Sequence, residues 1–132
     1  MLRRWLVGLF ALVCVVSCHR TEQLTPRSLL EAARADRLAT FSRYRERVLQ
    51  LDGVVVDRSW EKSGGRRVPL LVLRDSTEPR AGLVLCYFDE GDLDPVAQTP
   101  LNTFVRVRGQ FKEFIQAKGE LAALFHSCDF RD

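Results

Sequence analysis

The side chains that could carry out chemistry do not stand in a catalytic pattern. There are two histidines. His19 sits in a polar stretch near the N-terminus. His126 is alone in a segment that reads as a strand. No Gly-x-Ser-x-Gly, His-Glu-x-x-His or phosphate-cradling glycine loop occurs, and Ser63-Gly64-Gly65 is a turn. Asp89 and Glu90 point to opposite sides if their strand continues, which suits general acid–base work poorly. The acidic run Asp89, Glu90, Asp92 and Asp94 lacks the order of a calcium loop, because Pro95 falls where ligands and a glycine should follow. Helix capping and solubility explain it more cheaply. The cysteines and histidines are too scattered for a zinc site. These patterns indicate neither an enzyme nor a cofactor. What remains is guanidinium chemistry: Arg66 and Arg67 beside a turn, and Arg106 and Arg108 alternating on one strand. Such groups bind anions, although an alternating arginine face is also ordinary solvated surface.

The chain that must position these groups has 132 residues, enough for one domain. Twenty Lys and Arg face 17 Asp and Glu, a net charge of +3, which is too balanced for a histone-like polyanion binder. With 46% hydrophobic residues spread along its length, it is not a disordered chain.

Thr25-Pro26 opens a helix, with threonine as N-cap and proline at the first position, and no breaker interrupts it up to about Arg43. Leu30, Ala33, Phe41 and Tyr44 fall near one face of it. From Val48 to Asp57 the residues are β-branched and partly alternating, a strand in which Gly53 marks a bulge or sharp coil. Val68 to Leu73 and Leu83 to Phe88 are further strands, joined by a turn from Asp75 to Pro79. Asp94-Pro95 starts a short helix that Pro100 stops. Thr103 to Phe111 and Glu120 to Phe130 are the last two strands. The order is helix, three strands, short helix, two strands.

The N-terminus has Arg3 and Arg4, an apolar run from Trp5 to Val16, and then Ser17-Cys18. That is a secretory signal, and the run is shorter than the about 20 residues a spanning helix needs. Val15-Val16-Ser17-Cys18 resembles the lipobox of bacterial lipoproteins. The resemblance implies cleavage of residues 1–17 before Cys18 and lipidation of Cys18. It also implies a membrane anchor, with residues 18–25 as a lipidated tether and 26–132 as the domain. Because His19 and not an aspartate follows the cysteine, it implies the outer membrane, facing the periplasm, if the host has two membranes. Cys14 leaves with the signal, and Cys86 and Cys128 remain. An even pair in an oxidising compartment suggests a disulfide that would contribute about 3–4 kcal/mol. The alternative is two buried thiols.

Val54 and Val55 after Gly53, Cys86-Tyr87-Phe88-Asp89, Val105-Arg106-Val107-Arg108-Gly109 and Cys128 together resemble the bacterial tRNA-anticodon-like OB-fold family of secreted and lipoprotein domains. The resemblance covers roughly Arg37 to Asp132. It implies a mainly β fold: a five-stranded Greek-key OB barrel with an N-terminal helix and a short helix between the third and fourth strands. It makes the third and last strands neighbours, bringing Cys86 near Cys128, and the His126-Ser127-Cys128 spacing points to a bulge. By analogy with where OB-folds bind, Trp60, Arg66, Arg67, Arg106 and Arg108 would form the binding face, with Trp60, Tyr87 and Phe111 as candidate stacking rings. The expected function is a non-enzymatic envelope binding module for a protein, peptide or small ligand. Single-stranded nucleic acid is the alternative, disfavoured because the acidic run matches the arginines in size and the anchor removes the protein from the cytosol.

Overall fold

The computed structural model describes residues 21–78, 82–117 and 119–131. The expected signal segment 1–17 and the expected lipidation at Cys18 lie outside these residues.

Helix α1 (Pro26–Ala35) begins where local chemistry places it. Ser28 N–H donates to the Thr25 hydroxyl at 3.1 Å, and the Ser28 hydroxyl accepts from Thr25 N–H at 3.1 Å, so the capping is reciprocal. The expected single helix is two. Asp36 is extended, and its carboxylate accepts from Ala39 N–H at 3.0 Å, so it caps a new helix α2 (Arg37–Tyr44).

The strands are β1 (Glu22–Leu24), β2 (Val48–Ser63), β3 (Arg66–Arg74), β4 (Leu83–Phe88), β5 (Phe104–Ala117) and β6 (Glu120–Arg131). The sheet therefore has six strands, not the expected five, because part of the expected tether is β1, paired in parallel with β2. The five long strands close into a ring. β2 pairs antiparallel with β5 over Val48–Val54 and with β3 over Val54–Ser63. β4 and β6 pair in parallel, and β6 returns antiparallel to β5. A register shift between Val55 and Asp57 marks the bulge in β2. Gly53, expected at that bulge, instead allows a close approach: a Cβ there would lie 3.0 Å from the Arg74 carbonyl oxygen and 3.1 Å from Pro26 Cγ. The bulge in β6 is present. Ser127 has φ 52°, and both neighbouring ladders shift register beside it. Phe125 and Cys128, three residues apart, thereby both point inward.

Leu49, Leu51, Val55, Leu71, Leu73 and Val84 fill the ring, and Leu29, Leu30 and Ala33 of α1 pack onto the same cluster. Phe111 lies within this core, fully buried against Phe41, Phe114 and Phe125 at centroid distances of 6.2, 4.9 and 5.5 Å. It is not the stacking ring the sequence proposed. Between β4 and β5, a 3-10 turn (Glu90–Asp92) leads into α3 (Leu93–Gln98), which buries Val96. Helix α3 starts one residue before Asp94, so Pro95 occupies its first turn, where the missing N–H costs no hydrogen bond.

The expected Cys86–Cys128 disulfide is not formed: both are free, buried thiols. In the parallel ladder Cys86 stands opposite Phe125 and Cys128 opposite Phe88, on the two sides of the register shift, so the sulfurs meet as hydrogen-bond partners. That hydrogen bond, and then burial, raise the Cys86 thiol well above its ordinary 9.0. The thiolate, the reactive form, is thus suppressed. Iodoacetamide should leave Cys86 unmodified in the folded protein and label both cysteines after unfolding without reductant; a blocked pair in the unfolded chain would contradict free thiols. The raised value also sets a pH dependence. The unfolded chain ionises Cys86 first, so this contribution to stability is complete below pH 9.0 and is lost as pH rises toward the folded-state value.

Candidate ligand-binding groove

The β2–β3 hairpin outruns the ring, because β5 leaves β2 at Val54 while β3 follows it to Ser63. Residues directly opposite in an antiparallel pair share a face. The register therefore gives this arm two unlike faces. One carries Asp57, Ser59 and Glu61 opposite Val72, Leu70 and Val68. The other carries Arg58, Trp60 and Lys62 opposite Leu71, Pro69 and Arg67.

The first face continues across β4, where Leu70 meets Tyr87 and Val72 meets Leu85. The result is a groove of about 490 Å³ on the outside of the ring, walled on its other side by Ala117 near the β5–β6 turn. Its floor is apolar: Leu70, Val72 and Leu83 pack with Ala122 into a cluster separate from the ring interior. Asp57 and Glu61 line one wall, and Tyr87 donates its hydroxyl proton to Glu61 Oε1 at 3.2 Å. Burial, then the Glu61 charge, raise the Tyr87 phenol above 10.0, so it stays a neutral donor. The lining guanidinium, Arg74, is taken by a two-pronged pair with Glu120. The groove is therefore apolar with an acidic wall, an environment that favours a cation on a hydrocarbon body and repels phosphate.

The five residues proposed as a binding face do not share one. Trp60 and Arg67 form a stacked pair on the opposite face of the arm, with the guanidinium carbon 4.9 Å from the ring centroid. Trp60 remains 47% exposed. Arg66 stands on the groove side and borders a second cavity with Asp89, Glu90, His126 and Ser127. Arg106 and Arg108 lie across the ring on β5, where Asp52 and Asp129 neutralise them at 3.7 and 3.6 Å. His126 has the Ser127 hydroxyl 3.5 Å from Nδ1. Among the described residues, no three His, Cys, Asp or Glu side chains gather to hold a metal ion.

Of the groove, only Tyr87 was singled out by sequence reasoning. Asp57, Glu61, Leu70, Val72, Leu83 and Leu85 were not. A signal was present: β3 and β4 are apolar at both parities. A half-buried strand would alternate, so two consecutive apolar strands imply an outer face that is also sheltered.

No family model matches the chain, and no curated protein matches it. Solved structures share its fold. A lipoprotein from Klebsiella pneumoniae subsp. pneumoniae, provisionally described as nucleic acid-binding, superposes with a TM-score of 0.70 at 13% identity, covering 85% of this chain and 92% of that one. A provisionally described aspartyl-tRNA synthetase from Leishmania major Friedlin gives 0.53 at 10% identity, covering 89% of this chain and 22% of that one. Yeast Stn1 and Ten1 gives 0.51 at 13% identity, covering 87% and 65%.

Proposed function

We propose that this chain is a membrane-anchored, non-enzymatic binding module built on an OB-fold, and that its groove takes an apolar partner segment bearing a basic side chain. The observation that carries the reading is the groove's composition: a sheltered aliphatic floor beside Asp57, Glu61 and the Tyr87 hydroxyl, with its one lining guanidinium already paired. The closed ring with a parallel third and last long strand supports the OB assignment. The Val15–Cys18 motif supports the lipid anchor and an envelope location, the outer membrane if the host has two.

A short alternating Leu-Lys peptide should shift the amide resonances of Glu61, Val72, Leu85 and Tyr87, and a Leu-Glu counterpart should not. Leu85→Arg should weaken the Leu-Lys peptide by about tenfold or more, equal to about 1.4 kcal/mol. Equal response to both peptides would remove the proposal.

A second reading, single-stranded nucleic acid, draws support from the other face of the arm. There the exposed indole of Trp60 lies with Lys62 and Arg67, with no carboxylate paired to either among the described residues. An exposed ring among cations is what base stacking and phosphate contact require. The Klebsiella lipoprotein's description adds weight to it, so nucleic acid is no longer to be disfavoured on composition alone. Short oligothymidine should then shift Trp60, Lys62 and Arg67 at low salt and release them at moderate salt. An unmoved arm would remove this reading.

A further inference from the structure

We propose that the surface formed by α2 and the turn after it lies against the anionic headgroups of the membrane that holds the chain, so that the ligand arm points away from the bilayer. This rests on the lipid-anchor reading of Cys18.

The geometry starts from β1. Three residues lie between Cys18 and Glu22, so the four steps of chain reach at most about 14 Å. β1 runs parallel to β2 with Glu22 opposite Leu49, so the tether arrives at the β2 end that follows Arg47. Glu22 is seated there by Arg43 at 3.2 Å, Arg47 at 3.7 Å and the Tyr44 hydroxyl at 3.3 Å. The tip of the β2–β3 arm lies at the other end of β2, about 50 Å further along the strand.

The anchor end has the chemistry of an anionic surface's partner. From residue 37 to residue 47 there are four arginines and one carboxylate, Glu46. From outside the segment, Glu22 is shared between Arg43 and Arg47, whose side chains stay 63% and 47% exposed, and Glu113 of β5 lines a cavity with Arg37 and Leu38. Arg37 spends one N–H on the Phe114 carbonyl oxygen at 2.9 Å. Arg45 is exposed. Leu38, 76% exposed and seven residues before Arg45, stands on the same side of α2. An exposed leucine set among arginines is the pattern of an interfacial helix, with the apolar side chain entering the headgroup layer and guanidinium groups pairing with phosphates. Attraction of this kind fades within a Debye length of about 8 Å, and the short tether holds the surface close to that range.

The test uses the full lipidated chain, reconstituted into vesicles of phosphatidylcholine alone or with about a quarter phosphatidylglycerol. Arginine modification by phenylglyoxal is followed residue by residue. Arg43, Arg45 and Arg47 should react at least about threefold more slowly in the anionic vesicles, while Arg66 and Arg67 at the far end react equally in both. Equal rates at Arg43, Arg45 and Arg47 in the two lipids, on vesicles that float with the protein, would overturn the inference and leave the anchor standing. Failure of the protein to float with either vesicle would overturn the anchor reading and this inference with it.

Discussion

Replacing Phe111 with alanine is expected to remove about 3–5 kcal/mol of stability. The ring is fully buried and touches three other rings, carried by α2, β5 and β6. Its strand, β5, closes the ring of strands by pairing with β2 on one side and β6 on the other. The backbone of the same residue is tied at both ends: Phe111 N–H donates to the Arg47 carbonyl at 2.9 Å, and Glu46 N–H donates to the Phe111 carbonyl at 3.2 Å. These bonds hold the surrounding backbone in place, so the cavity left by the ring cannot easily collapse. Denaturant unfolding should show a lower midpoint with an unchanged slope. Phe104→Ala is the control, because that ring is 62% exposed and its loss should stay within about 0.5 kcal/mol. A loss below about 1 kcal/mol at Phe111 would mean that the three rings repack around the gap.

Gly82→Ala should cost about 3 kcal/mol or more, through two mechanisms acting together. Gly82 has φ 76°, where an L side chain costs about 1–2 kcal/mol. Its Cβ would also lie 2.7 Å from both the carbonyl carbon and oxygen of Pro26, and 2.9 Å from Arg27 N. Those are backbone atoms in the first turn of α1, so relief requires moving the helix off the ring. Gly64 has φ 57° but open space around it. Gly64→Ala should therefore show the conformational cost alone, about 1–2 kcal/mol, and the difference between the two variants isolates the close approach. Gly82 immediately precedes Leu83, the first groove residue of β4. Gly82→Ala should therefore also weaken the Leu-Lys peptide. Equal thermal midpoints for the two variants would show that α1 shifts without penalty.

The elements read correctly from the sequence are those whose limits are marked by residues close together in the chain. Thr25 and Ser28 cap α1 within four residues of chain. Leu83–Phe88 is apolar at both parities and bounded by breakers, and its limits match the expectation. The β6 bulge is legible because Phe125 and Cys128 cannot both face inward on an unbroken strand. Asp36 was missed because a helix-compatible residue became a cap, and that choice depends on where the chain must turn to lay Thr40 and Tyr44 against the core.

The candidate site was harder to read because it is made of pairs distant in sequence. Arg106 and Arg108 look like a free cationic face until the register sets Asp52 and Asp129 beside them. Phe111 shares its parity with Val107, so the alternation of β5 already pointed it inward, against its reading as a stacking ring. Glu61 is an ordinary exposed acid until Tyr87 arrives from β4. Sequence alone located five of the six strands and the start of the first helix, because each is marked by residues next to one another. Only the tertiary structure decided which arginines remain available, that the two thiols stay unbridged, and that the arm has an acidic-apolar face and a basic-aromatic one. Those outcomes depend on register. A slip of one residue would turn every side chain of a strand to its opposite face, and short-range spacing does not specify which register the closed ring adopts.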